Sequence, residues 1–215
     1  MDAKVFIPIA ISCLAIGVSV VTLYFSQLRS AVVAVVAGEH LNIYYFQEGN
    51  CAVTLPISVA NNGARTAIVR RVALLIQEGG SAEGYLLEPI FYDRIDENGN
   101  FQHDTQPLPI AVPGRSTETK QILFRSSFDR PSEFHFLKAG TYKATVLAWL
   151  RSSVEPQAAD SFSFIISDEE LAQLEKNRAS KSASSIRVRQ SEWRKWGAHR
   201  LTEVEIAALV VRKTA

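Results

Sequence analysis

An uncharged apolar run near the N-terminus, from Val5 to Phe25, constrains this chain more than any other feature. Its 21 residues include no Asp, Glu, Lys or Arg. At a helical rise of about 1.5 Å per residue the run would extend about 31 Å, which matches the roughly 30 Å hydrocarbon core of a bilayer. Lys4 and Arg29 bracket it, and two aromatic residues end it, as is typical of a membrane interface. We therefore predict a transmembrane anchor over residues 1–30.

A cleaved signal peptide and a buried core helix are the alternatives to a retained anchor. A signal peptide has an apolar region of about 7–15 residues and a small-residue cleavage site. This run is longer, and residues 26–29 make a poor site. A core helix of a soluble domain would show a polar face, and this run shows none. The orientation of the anchor stays open, because the charges on its two flanks are nearly equal. Lys4 on one side is offset by Asp2, and Arg29 stands on the other side.

Charge and cysteine content divide the chain unevenly. Residues 176–215 hold ten Lys/Arg and three Asp/Glu, a balance of +7, while residues 1–175 hold thirteen and nineteen, a balance of −6. A basic tail on an acidic body predicts an anionic surface as the tail's partner.

The two cysteines are not expected to form a disulfide. Cys13 lies in the apolar run and Cys51 in the body, so the two thiols sit in different solvents.

The body, residues 31–167, has the texture of an antiparallel β protein. Short segments rich in Val, Ile, Phe and Tyr alternate with Gly, Pro, Asn and Asp, which is typical of strands and turns. Arg70 interrupts the apolar face of the clearest segment, which indicates either a side chain whose stem snorkels to solvent or a bulge. With no helix predicted among them, these segments favour a β-sandwich. The predicted strands are residues 31–37, 41–46, 52–60, 66–77, 85–92, 118–125, 140–150 and 161–167.

Three short motifs carry a family resemblance. They are Ser58-Val-Ala-Asn-Asn-Gly63, predicted as a tight turn between strands, Val112-Pro-Gly-Arg-Ser116 and Leu137-Lys-Ala-Gly-Thr-Tyr142. Together they resemble bacterial immunoglobulin-like domains over residues 31–167. The resemblance implies an immunoglobulin-like sandwich, with a tyrosine corner at Tyr142. It implies no activity, because this fold carries many unrelated functions.

The densest cluster of metal-type ligands lies in residues 93–104. A calcium loop of the EF-hand type with Gly99 at its sixth position would place Arg94 first and Thr105 last, and neither is a suitable ligand. A solvated hairpin turning at Asn98-Gly99 is the preferred interpretation. The alternative is an enzyme or enzyme subunit, whose site would be carried by Asp93, Asp96, His103 and Asp104.

Other catalytic and metal signatures are missing from the sequence. The four histidines show no metal-ligand spacing with one another or with a cysteine. The chain contains no nucleophile-elbow, phosphate-loop or dinucleotide-binding motif. We therefore predict no catalytic residue, no cofactor and no metal ion.

Residues 168–215 are predicted to form a basic helical tail. Ser167 and Glu170 have the spacing of a capping box and predict a helix over residues 168–177. A flexible Ser/Ala/Lys linker should follow over residues 178–185, and a second capping box opens a helix at Thr202. The intervening segment interleaves cations with tryptophans: Arg187, Arg189, Trp193, Arg194, Lys195, Trp196 and Arg200.

Three partners are compatible with that segment. It could dock on the β domain through its tryptophans, lie on anionic lipid, or bind a partner protein, with nucleic acid the weakest option. The sequence as a whole predicts a single-pass protein, in a bacterial inner membrane, whose β domain is an interaction or scaffold module close to the bilayer.

Overall fold

The structure is a computed structural model that describes residues 3–45, 50–95, 101–126, 134, 136, 138–150, 154–182 and 184–191. Helix α1 (Ala3–Leu23) comes first and continues into a π-helical turn, Tyr24–Leu28. Strands and one further helix, α2 (Asp168–Ala179), follow. The described strands are β1 (Val33–Ala37), β2 (His40–Tyr45), β3 (Cys51–Asn61), β4 (Ala67–Val69), β5 (Arg71–Glu78), β6 (Gly84–Ile95), β7 (Phe101–Thr105), β8 (Ile110–Val112), β9 (Ser116–Ser126), β10 (Gly140–Trp149), β11 (Ala158–Ile166) and β12 (Ile186–Arg189).

Ten of these strands form one antiparallel sheet that nearly closes on itself. Its order is β11-β10-β5-β6-β9-β3-β2-β12, with β1 pairing the second half of β3 and β7 pairing β6. Gln190, just after β12, bridges to Phe164 of β11, so the two ends of the sheet meet. Ala37 of β1 also donates its N–H to the Asp160 carboxylate on β11, at 2.8 Å.

The mainly β fold with an N-terminal apolar helix is therefore confirmed, but the two-sheet immunoglobulin-like arrangement is not. One barrel-like sheet replaces the predicted sandwich, because a short strand from the predicted tail joins its two ends. The sequence places residues 186–189 outside the domain. Val188 instead packs into the core with almost no exposure.

The inward-facing residues follow the period-2 pattern of each strand. In β3 the apolar positions Val53, Leu55, Ile57 and Val59 are all buried, as alternation requires. Aromatic rings fill one end of the interior. Tyr142 and Phe164 stack with their ring centroids 5.6 Å apart. This core fixes the register of the sheet, since a shift of one residue would turn the apolar set outward.

The motif at Tyr142 behaves as predicted although the sheet around it differs. Gly140 opens β10 with φ of 152°. The Tyr142 hydroxyl donates to the carbonyl of Lys138 at 2.8 Å. A tyrosine bonded back to its own upstream backbone is the arrangement that the resemblance implied.

Three described strands are missing from the predicted set, although the predicted hairpin implied β7, which pairs with β6. One predicted strand is divided. β7, β8 and β12 are short, which makes their sequence signal weak. The predicted strand over residues 66–77 splits at Arg70, whose N–H donates to the Trp149 carbonyl at 2.7 Å. Its two parts belong to different sheets, because β4 pairs β8 while β5 lies between β10 and β6.

Helix α2 confirms the first capping box. The Ser167 hydroxyl accepts from the Glu170 N–H at 3.3 Å, and the Glu170 carboxylate accepts from the Ser167 N–H at 2.7 Å. The predicted linker is tied to the end of this helix. Asn177 donates from its side chain to the Ser184 carbonyl at 2.9 Å, and its own carbonyl accepts from the N–H of Ser182. This anchored turn leads the chain directly into β12.

Buried and half-buried tyrosines predict that the stability of the domain falls at high pH. The pKa of Tyr44 is raised to about 12, mainly by burial. Its hydrogen bond with Thr54 lowers this pKa, and the nearby Asp93 charge raises it. Burial also raises the pKa of Tyr92 and Tyr142. Unfolded tyrosines ionise near pH 10, so between about pH 10 and 12 the folded state holds more protons than the unfolded state. Stability present below pH 10 is then lost as pH rises.

We expect denaturant unfolding followed across this range to show that loss. Phenolate absorbance of the folded chain should rise later than that of the unfolded chain. Tyr44→Phe should make the decline shallower, because one of the titrating groups is gone. A free energy of unfolding that stays constant up to about pH 12 would contradict the assignment.

Candidate functional site

The apolar helix stands outside the β domain and is uncovered by it. Residues 9–28 are long and apolar enough to cross a membrane, and none of them is buried in the structure. Hydroxyl groups within the span bond to the backbone of the helix itself. Ser19 donates to the Ala15 carbonyl and Thr22 to the Val18 carbonyl, both at 2.8 Å. The segment predicted as the anchor is therefore an exposed apolar helix long enough to span a membrane, and its apolar stretch extends three residues beyond Phe25.

The helix joins the β domain through a hydrogen-bonded junction. The Arg29 N–H donates to Tyr24 at the end of the helix, at 2.8 Å. The Arg29 carbonyl then accepts from the N–H groups of Ala64 and Arg65, at 3.1 and 3.2 Å. A second segment of the domain also contributes, because the Arg115 guanidinium donates to the carbonyl of Phe25. The connection is therefore bonded to two segments of the domain.

Asn61, the last residue of β3, lies at the centre of this junction and is 1% exposed. Its side-chain oxygen accepts from the N–H groups of Val32, at 3.2 Å, and Gly63, at 3.0 Å. Its side-chain nitrogen lies 2.8–3.2 Å from three carbonyl oxygens, those of Arg65, Val112 and Pro113. One amide thus joins the segment after the helix to two separate turns of the domain.

Two glycines let these segments touch backbone to backbone. A Cβ at Gly63 would lie 2.1 Å from the Ser30 carbonyl oxygen, and one at Gly114 would lie 2.0 Å from the oxygen of Ala64. Any side chain at either position would force the segments apart. The next residue, Arg115, has φ of 58° and donates its N–H to the Gly63 carbonyl at 3.0 Å.

The Asn61-Asn62-Gly63 motif, predicted as a tight turn between two strands, lies between β3 and β4. The structure shows that β3 and β4 do not pair with each other. The motif instead supplies the contacts that receive the helix. Asn62 takes part through its backbone, since its N–H donates to the Val32 carbonyl at 2.8 Å.

A shallow groove of about 360 Å³ lies on another part of the domain, at an irregularity in β6. The pairing of β6 with β9 shifts register between Pro89 and Phe91, as in a β-bulge. Glu88, one of the lining residues, accepts a hydrogen bond from the Arg71 guanidinium at 2.8 Å. The groove lies within the size range of ligand sites. It is lined by Glu88, Pro89, Ile90, Phe91, Gln106, Pro107 and Ser126.

The residues of the alternative enzyme site lie in different surroundings. Asp93 on β6 is 8% exposed, whereas Asp104 on β7 is exposed. Asp93 and His103 are partners in the pairing of β6 with β7, but the side chain of His103 and all of Asp96 lie outside the described part. Among the residues that the structure describes, no group of three or more His, Cys, Asp or Glu could hold a metal ion.

Of the seven tail residues singled out in the sequence, the structure describes two. Arg187 is exposed on β12. Arg189 pairs with the Glu39 carboxylate at 2.9 Å and lies 3.4 Å from the His40 ring. Burial and then Arg187 lower the pKa of His40, while Glu39 raises it. The other five lie outside the described residues: Trp193, Arg194, Lys195, Trp196 and Arg200.

The start of the tail thus docks on the β domain. Arg187 pairs with Asn42 and Arg189 with His40 in the antiparallel register of β12 and β2. Arg189 forms an ion pair there with Glu39. The lipid and protein alternatives concern the residues beyond it and stay predictions.

Cys51 is 1% exposed, and burial raises the pKa of its thiol. A thiol that is both inaccessible and protonated is a poor nucleophile. Cys13 is exposed on the apolar helix. The two cysteines are free in the structure, as the sequence predicted.

No family model matches the chain, and no curated protein matches it either. Solved structures with a similar arrangement include the sporulation control protein Spo0M from Bacillus subtilis, with TM-score 0.29, 10% identity and coverage of 61% of this chain and 47% of that one. A β-glucosidase from Kluyveromyces marxianus has TM-score 0.29 and 11% identity, over 63% and 14%. β-Glucosidase 3B from Thermotoga neapolitana has TM-score 0.30 and 13% identity, over 74% and 17%. The chain spans less than half the length of each, and at these values the likenesses carry no argument about its function.

Proposed function

We propose that this chain is a single-pass membrane protein whose barrel-like domain serves as a non-catalytic interaction module held in a fixed position at the bilayer surface. A bacterial inner membrane is the proposed location, in keeping with the family resemblance of its motifs. The observation that carries the proposal is the junction. A domain that only needed tethering would require no more than a loose linker, whereas here the first residue after the π-helical turn is already bonded to the domain.

Retention of the helix is part of the proposal. Arg115 donates to Phe25, and Tyr24 accepts from Arg29, so cleavage after the apolar run would remove partners of the folded domain. A signal peptide is released from its domain and has no reason to contribute such bonds. These contacts support a helix that stays attached.

The groove beside β6 is the proposed interaction site. Strand irregularities of this kind re-aim side chains and locally interrupt the regular pairing of a sheet, and they are common next to functional sites. Its lining combines prolines and Phe91 with the polar ends of Glu88 and Gln106. That mixture suits a peptide segment of a neighbouring membrane protein.

Photocrosslinking in native membranes tests this proposal. A photoreactive residue at Gln106 of the full chain should give a discrete protein adduct, because the groove is occupied by a partner. The same residue at Lys143, exposed on β10, is the matched control and should give none. Phe91→Glu should abolish the Gln106 adduct without releasing the chain from the membrane. Equal adducts from Gln106 and Lys143, or none from Gln106, would overturn the groove as an interaction site.

A further inference from the structure

We infer that three arginines at the end of the anchor, Arg29, Arg65 and Arg115, form a collar that binds the headgroups of anionic phospholipids. The inference rests on the proposed function, since it requires the helix to be in a membrane. The three residues are far apart in the sequence and come from three different segments. We call them the arginine collar.

The junction brings the collar together. The Arg65 N–H donates to the Arg29 carbonyl at 3.2 Å, so these two residues are direct neighbours. Arg115 joins them from the third segment, because its N–H donates to Gly63, two residues before Arg65. All three side chains are exposed. The fold therefore brings three permanently charged residues together at the C-terminal end of one helix.

The collar also lies at the depth of the headgroups. The apolar span ends at Leu28, and Arg29 is the next residue. The Arg115 guanidinium reaches the carbonyl of Phe25, inside the last turn of that span. A guanidinium at the edge of the hydrocarbon region meets phosphate groups first, and its planar fork matches a phosphate in a bidentate way.

The surroundings of the collar favour lipid over other anionic partners. The three segments that build it, residues 24–32, 61–66 and 111–116, contain no Asp or Glu. Val32 is 47% exposed beside it, and Pro113 is exposed as well. Cations mixed with apolar side chains are typical of a membrane interface. The bilayer itself would block the approach of an acidic protein or a nucleic acid to this site.

Lipid retention by the full chain in nanodiscs tests the inference. Discs of phosphatidylcholine containing a minority of phosphatidylglycerol are prepared, and the lipids that stay bound to the released protein are counted by native mass spectrometry. We expect phosphatidylglycerol to be enriched roughly tenfold over its share of the disc, and the enrichment to fall as salt is raised. The variant R29Q/R65Q/R115Q should retain lipids in the ratio of the disc.

Two further variants keep the result interpretable. R29Q/R65Q preserves the bond from Arg115 to the helix and should still lose most of the enrichment. K143Q/K176Q/K181Q removes three exposed cations outside the junction and should keep it. Enrichment that is missing in the natural chain, or lost equally in this control, overturns the collar. Failure of the natural chain to enter discs would instead overturn the proposed function.

Discussion

Replacing Asn61 with alanine is expected to lower the free energy of unfolding by more than about 3 kcal/mol, because several buried backbone groups lose their partner at once. The amide is 1% exposed and bonds to Val32, Gly63 and three carbonyl oxygens. Each buried polar group left unsatisfied costs about 1–3 kcal/mol. Water cannot easily replace these bonds, since the junction packs backbone against backbone at Gly63.

Asn62 supplies a matched control for this substitution. It is the adjacent residue of the same type, but it is exposed and contributes its backbone to the junction. Asn62→Ala should therefore change stability by less than about 0.5 kcal/mol. Urea unfolding of the full chain in mild detergent, followed by tryptophan fluorescence, measures both. Equal and small effects of the two substitutions would show that Asn61 does not hold the junction.

The local features of the sequence predicted much of this fold. The capping box at Ser167 and the bonded hydroxyl of Tyr142 depend on residues close in sequence, and both appear in the structure. The irregularity at Arg70 was visible too, although the strand ends there instead of forming a bulge. The apolar helix was equally visible, because length and lack of charge suffice to define it. Such signals need no knowledge of the distant parts of the chain.

The features that the sequence did not predict depend on distant contacts. Closure of the sheet requires residues 186–190 to meet both β2 and β11. Ile186 and Val188 alternate with arginines as in a strand, but a segment of four residues is too short for that alternation to predict one. The junction is similar. Asn61-Asn62-Gly63 has the composition of a hairpin turn, and only the position of residues 29–32 shows its different use. The arginine collar likewise combines three segments whose meeting could not be inferred from spacing.

Charges placed in the helix should remove the protein from membranes. Leu14→Lys with Val18→Lys puts two cations on one helical face that the β domain leaves uncovered. Each lysine near the middle of a span costs about 2.5–3.5 kcal/mol on insertion, so together they cost roughly 5–7 kcal/mol. The control carries the same two charges at exposed apolar positions of the domain, Val154, which is 96% exposed, and Leu108.

The central claim is that this helix is a retained membrane anchor, and alkaline carbonate extraction combined with the intact mass of the chain tests it most directly. We expect the natural chain and the Val154/Leu108 control to stay in the membrane pellet, with a mass that includes residues 1–25. The Leu14/Val18 variant should move to the supernatant. A natural chain that is released by carbonate, or whose mass lacks the apolar run, would contradict the account.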